Sequence, residues 1–209
     1  MRINQLNIRF FALIACLVSM MLIMPFAKAG DDPVGLLQSI ANNMLSGLKA
    51  NKATLKTKPQ IVYSLANRYV VPFADLPEMS RRVLPPATWN SATPAQRQEF
   101  QKLFTRTLVR TYASALTSYT DQVVKFYPVR GGAEGNTVEV SSEIVSPDTD
   151  PVRVVYRLIR TGSGWRLYDM SVEGVSLIQS FRSQFSDILS QGNMESLLNR
   201  LRSHNTGKQ

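Results

Sequence analysis

PVRVVYRLIRTGSGWRLYDMSVEGVSLIQS, residues 151–180, is the stretch whose reading decides the fold. An extended run, Val152 to Arg160, meets the turn Thr161-Gly-Ser-Gly164 and returns as Trp165 to Val172. Glycine and serine between two β-branched and aromatic runs mark a hairpin. Gly174 ends the second run. From there Val175, Leu177, Ile178, Phe181, Phe185, Ile188 and Leu189 recur at helical spacing. Within the first run one parity carries Val152, Val154, Tyr156 and Leu158, and the other Arg153, Val155, Arg157 and Ile159. Only the first is cleanly apolar, which predicts a sheet with helices over one face and water on the other.

Working upstream, Val123 to Tyr127 and Thr137 to Val145 read as two further strands, separated by Arg130-Gly-Gly132 and Gly135-Asn136. Sequential strands joined by short turns predict a four-stranded antiparallel meander. Before it, Thr93-Pro94-Ala95-Gln96 is a capping box with proline at the first helical position. It opens a long helix striped by Phe100, Leu103, Phe104, Leu108, Tyr112, Ala115 and Tyr119, with Ala113 and Ala115 leaving room in its second half. Residues 33–48 and 60–70 predict two more helices, the second built on Ile61, Leu65 and Tyr69. Leu76 to Val83 predicts a short helix ended by Leu84-Pro-Pro86. A last helix carries Met194, Leu197, Leu198 and Leu201, and the chain is expected to fray from Ser203. The fold class expected is α+β, a four-stranded antiparallel sheet covered on one face by several helices.

The N-terminus reads as an export signal. Arg2 and Arg9 precede the apolar run Phe10 to Phe26, and Ala27-Lys28-Ala29 places small residues where a signal peptidase needs them. Residues 1–29 are therefore expected to be removed, leaving 30–209 as one domain. Cleavage takes away the only cysteine, and with it three cations and no acid, so the net charge of +9 falls to +6. After export, a basic balance points to an anionic membrane surface or an acidic protein. Basic runs with interleaved aromatics, the mark of nucleic-acid binding, are missing.

Catalytic equipment is scarce. The sole histidine, His204, falls in the tail expected to fray, where it cannot serve as an oriented base. A mature chain without cysteine has neither a thiol nucleophile nor thiolate metal ligands. Asp148 and Asp150 lack calcium-loop spacing, and Thr161-Gly-Ser-Gly164 lies inside a hairpin without the lysine of a phosphate loop. Asp75, Glu78, Asp169 and Glu173 are the carboxylates to follow. Asp169 and Glu173 sit where the last strand hands over to a helix. The structural reading, which is preferred, has Glu173 facing exposed amides or an arginine. It leaves Asp169 on a parity mixed with Trp165, Leu167 and Ser171. The functional reading has one of them orient a polar ligand head. Phe73, Phe100, Phe104, Tyr112, Tyr119, Tyr156, Trp165, Tyr168 and Phe181 are many large rings, and composition does not separate a filled core from a hollow one.

Three pieces of sequence resemble the MlaC family, the toluene-tolerance proteins that bind phospholipid in the periplasm. They are Trp89-Asn-Ser-Ala-Thr-Pro-Ala-Gln-Arg97 with Phe100 and Phe104, Gly164-Trp-Arg-Leu-Tyr-Asp-Met170 leading into Glu173-Gly-Val-Ser-Leu177, and Tyr69-Val-Val-Pro-Phe73. Arg81-Arg82-Val-Leu-Pro-Pro86 departs from the family pattern. The resemblance implies a non-enzymatic, monomeric carrier with bound phospholipid as cargo and no cofactor or metal. Its implied partners are an inner-membrane ABC transporter complex and an outer-membrane lipoprotein-porin complex, and its role is to maintain outer-membrane lipid asymmetry. It also implies an apolar cavity between sheet and helices.

Each exposed methylene costs about 0.8 kcal/mol, so two acyl chains need nearly full enclosure. From predicted facing, the candidate lining is Val71, Phe73, Leu103, Leu108, Tyr112, Val154, Tyr156, Leu167 and Val175. The candidate headgroup or partner surface is Arg81, Arg82, Lys102, Arg106 and Arg110. The alternatives are a non-lipid envelope interaction module and an envelope hydrolase.

Overall fold

Local capping chemistry sets the helix starts. The computed structural model describes residues 32–117, 121–130, 133, 135–147 and 149–206, with side chains at all of these except 113–115 and 117. The expected export signal, Tyr119, Asp148 and the side chains of Ala113 and Ala115 lie outside the described residues. Helix α1 spans Pro33–Ala50, and the Asp32 side chain accepts from Val34 N at 3.0 Å. Helix α2 is Gln60–Tyr69, followed by a 3-10 turn at Val71–Phe73. Helix α3 is Leu76–Val83, capped by Asp75, whose carboxylate accepts from Glu78 N. The short helix α4, Pro86–Ser91, was not expected. Pro86 sits at its first position, where a missing N–H costs nothing, so the same residue that ends one helix begins another. Helix α5, Pro94–Thr117, opens with the predicted box: Gln96 N donates to Thr93 Oγ1 and Thr93 N to Gln96 Oε1.

The sheet has strands β1 Val123–Phe126, β2 Thr137–Ser146, β3 Thr149–Thr161, β4 Gly164–Val172 and β5 Val175–Ser176, in that order and all antiparallel. The expectation of four strands is corrected to five. The two-residue β5 is too short to show a period, and it pairs with β4 through a hairpin whose two central residues, Glu173 and Gly174, both have positive φ. Helix α6, Leu177–Ser190, follows directly, and α7, Met194–Thr206, ends the described chain. Fraying from Ser203 is also corrected. Asn205 is buried and ties α7 to α5, donating to the Leu103 carbonyl at 3.0 Å and accepting from the Thr107 hydroxyl.

Register resolves the mixed parity of β4. Arg157 pairs with Asp169 but Leu158 pairs with Leu167, so Tyr168 is the extra residue of a β-bulge. Trp165 and Leu167 thereby share the inner face with Leu158, and Asp169 and Ser171 share the outer face with Arg157. Helices lie on the inner face, with α1 packing Leu37 against Val138, Val140, Leu158 and Trp165. The outer face carries the Glu139–Arg157–Asp169 ion pairs and the exposed Val123 and Val145, which pair across β1 and β2.

Asp169 is the joint between sheet and helix. Its carboxylate accepts from Arg157 Nη1 (2.9 Å), Ser176 Oγ (2.8 Å), Ile178 N (3.1 Å) and Met170 N (2.8 Å). Ser176 in turn caps α6 by accepting from Gln179 N. Glu173 is exposed, and its carboxylate accepts from Arg153 N across the hairpin. Both acids have structural partners. Asp169→Ala strands a buried amide and a guanidinium, so it should lower stability by about 3 kcal/mol, read as a reduced urea midpoint. Glu173→Ala, at an exposed position, should change the midpoint far less.

Candidate functional site: an apolar hollow beside a basic cleft

A domain of this size normally buries one contiguous core. Among the described residues, most buried apolar side chains fall into three separate clusters. The largest joins α3, α4, the first half of α5, α6 and α7. Phe100 and Phe104 stack at 5.5 Å, and Phe181 and Phe185 meet them edge-on at 5.3 to 5.7 Å. The second joins α1 to the sheet, and the third joins α1, the segment after it and α2 around Leu48, Leu55 and Val62. The helices of the third cluster approach closely, since a Cβ on Gly47 would come within 2.4 Å of Leu65 Cδ2.

Around and between these clusters, several apolar residues are only half-buried. On the inner sheet face they are Val124, Ile144, Val152, Leu167, Met170 and Val172; on α1, Ile40, Ala41 and Leu45; on α5, Leu108, Tyr112 and Leu116; at the 3-10 turn, Val71 and Phe73. Inward-facing apolar side chains that stay half-exposed are the candidate lining of a hollow between sheet and helices. On the same sheet face stands Tyr156, whose ring lies 5.8 Å from that of Phe126 and whose hydroxyl accepts from Ser142 Oγ at 3.4 Å. Burial pushes the Tyr156 phenol up from its ordinary pKa against the opposing hydrogen bond, and burial does the same to Tyr112.

The structure brings several of the expected lining residues together. Ala74 bridges to Leu167, and Asp75 N donates to the Leu167 carbonyl at 2.8 Å. Arg166 also reaches the Pro72 carbonyl at 2.7 Å, so the turn carrying Val71 and Phe73 is stitched beside Leu167. Leu103, Leu108 and Tyr112 pack on the rim of the helical cluster. Val154 and Tyr156 stand on the inner face of β3, Val154 fully enclosed at 2% exposure. Val175 is 61% exposed beside the β4–β5 hairpin. Sequence reasoning missed Ile40, Leu45 and Leu116, whose helical stripes give no sign of which side meets a void.

The basic candidates separate into two groups. Arg81 and Arg82 both bind Glu78, and the Arg82 guanidinium lies 4.2 Å over the Tyr168 ring. The Arg81 hydrogen bond, with Arg82 adding to it and burial opposing, holds the Glu78 carboxyl below its usual range. Lys102, Arg106 and Arg110 instead line one wall of a cleft of about 820 Å³ between α5 and α2. Gln60, Tyr63 and Asn67 form the opposite wall, with Leu76 and Val109 also lining it. Periodicity marked the cations but not the α2 residues they face, because helix pairing is a long-range property. Among the described residues no three histidine, cysteine or acidic side chains gather in a metal-binding group.

If the walls enclose a void, truncation costs should split by place. Phe104→Ala in the aromatic cluster should cost about 3–5 kcal/mol. Leu108→Ala, beside space that is already open, should cost well under half of that. Leu108→Phe should be tolerated where overpacking a filled core is not. Chemical denaturation of the three variants checks this ordering.

The family model described as MlaC protein matches residues 38–203. The toluene tolerance protein ttg2D of Pseudomonas putida is 29% identical over 161 residues, covering 77% of this chain and 74% of that protein. The intermembrane phospholipid transport system binding protein MlaC of Haemophilus influenzae is 24% identical over 204 residues, covering 96% of this chain and 94% of that protein. A solved phospholipid-binding protein from Ralstonia solanacearum, determined in complex with a phospholipid, superposes with a TM-score of 0.78 at 29% identity. The match covers 83% of this chain and 97% of that one. With its sheet order and a family model matched over most of its length, the chain belongs to the MlaC protein family.

Proposed function

We propose that this protein is a periplasmic phospholipid carrier in transport between two membranes, with the acyl chains of its cargo filling the hollow between sheet and helices. The observation that carries the reading is the ring of half-buried apolar side chains from α1, α5, the 3-10 turn and the inner sheet face. Support comes from two relatives: the Haemophilus protein is named a binding protein of an intermembrane phospholipid transport system, and the Ralstonia protein was solved with a phospholipid.

The physics matches the task. A carrier in water must cover nearly every methylene of the tails, which only an internal apolar space achieves, and the charged head must stay near solvent. Val71, Phe73, Leu103, Leu108, Tyr112, Val154, Tyr156, Leu167 and Val175 are proposed to contact the tails, with the half-buried members of the set carrying most of it. Residues 1–29 direct export and are removed, and 30–209 act as one lipid-binding domain. The cargo passes between an outer-membrane lipoprotein-porin complex and an inner-membrane ABC transporter complex, which supplies the energy. The outcome is maintained lipid asymmetry in the outer membrane. The chain itself performs no covalent chemistry.

Phospholipid should co-purify with the mature protein from the periplasm and appear on solvent extraction and mass spectrometry. Tyr156→Asp or Leu167→Asp puts a charge against the tails and should cut lipid retention by about tenfold or more, with the fold intact by circular dichroism. Protein that is repeatedly lipid-free and accepts none from vesicles would falsify the carrier reading.

A further inference from the structure

Lys102, Arg106 and Arg110 recur every fourth residue, so their charges line about 12 Å of one face of α5. The other residues lining the cleft are neutral, and no carboxylate is among them. Lys102 and Arg106 are exposed and make no hydrogen bond or ion pair among the described residues. Several cations elsewhere are engaged: Lys52 by Asp121, Arg81 and Arg82 by Glu78, Arg157 by Glu139 and Asp169, and Arg202 by Glu99 and Glu195. Uncompensated positive charge therefore collects in a concave site.

The cleft meets the edge of the helical cluster at Leu76. Leu76 lines the cleft and, like Leu108 and Tyr112, packs against the helical cluster. On α5, Val109 of the cleft is next to Leu108 and one turn from Tyr112. An amphiphile lying here has cations for its head, with Leu76 and Val109 offering apolar surface beside them.

Resting on the carrier reading, we infer that the cleft between α2 and α5 receives the headgroup phosphate of the cargo and selects lipids of net negative charge over zwitterionic ones. A single phosphodiester neutralises one of three cations. A zwitterionic head brings its ammonium against the other two, a like-charge contact that discriminates between partners. A head with no cation, or with a second phosphate, avoids that repulsion, and guanidinium groups bind phosphate oxygens through paired hydrogen bonds.

The test offers delipidated protein to vesicles of equal parts phosphatidylglycerol and phosphatidylethanolamine, then reads the bound lipids by mass spectrometry. Wild type should enrich phosphatidylglycerol several-fold over the vesicle ratio. The K102Q/R106Q double variant changes two exposed side chains, so its thermal midpoint should be unaltered. The lipid it takes up should show the vesicle ratio, with the enrichment in phosphatidylglycerol lost. Wild type that carries both lipids at the vesicle ratio overturns this inference and leaves the carrier reading intact; wild type that carries neither overturns the carrier reading. Selectivity unchanged in the double variant overturns the assignment of these residues. If that variant has also lost binding of inorganic phosphate, the cleft is a free-anion site. If it has instead lost docking to an acidic protein, the cleft is a protein surface.

Discussion

An apolar void persists in a folded protein only if its walls are held by contacts that do not cross it. Side chains facing empty space forfeit dispersion contacts on that side, and a wall without other support closes inward. Here the supports sit at the periphery. The four phenylalanines of α5 and α6 lock the helical body together away from the sheet. Asn205 pins α7 across α5. Ala74 and Asp75 join the 3-10 turn to β4 at Leu167, and the close approach at Gly47 holds α1 against α2. Each support fixes one wall of the proposed hollow through contacts outside it.

Asp169 links those walls. The bulge at Tyr168 turns Asp169 to the outer face, where it binds Arg157 of the neighbouring strand. The same carboxylate holds Ser176 and the first-turn amide of Ile178 in α6, so one buried side chain fixes both the sheet edge and the helix that departs from it. An anion at a helix N-terminus is stabilised by the exposed N–H groups there. The outer face otherwise carries ordinary exposed ion pairs, which contribute little to stability and keep that face in water.

Much of this was legible in the sequence. The strand runs, the capping box at Thr93 and the apolar parity of Val152, Val154, Tyr156 and Leu158 report local geometry directly, and the family resemblance followed from Tyr168-Asp-Met170 and Glu173-Gly-Val-Ser-Leu177. What was hidden depends on contacts distant in sequence. A two-residue strand has no period to detect. The β4 bulge made Asp169 seem to share a face with Trp165, because alternation breaks at a residue that only pairing identifies. Asn205 looked like tail because its partners lie about a hundred residues earlier. The α2 stripe of Ile61, Leu65 and Tyr69 proved half-buried, while Val62 and Ala66 are the enclosed residues. A hollow cannot be read from composition, since the same apolar residues build filled cores.

The central claim is that the native core is incomplete without its cargo. A ligand that binds only the folded state raises stability by RT ln(1 + [L]/Kd), about 2.7 kcal/mol when it stands at a hundred times its Kd. The most direct measurement is the thermal midpoint of the mature protein before and after gentle delipidation, followed by reloading from phospholipid vesicles. The account predicts a midpoint several degrees lower without lipid, restored on reloading. A midpoint that is the same in all three states would mean that the apolar side chains already complete one another, and it would contradict the account.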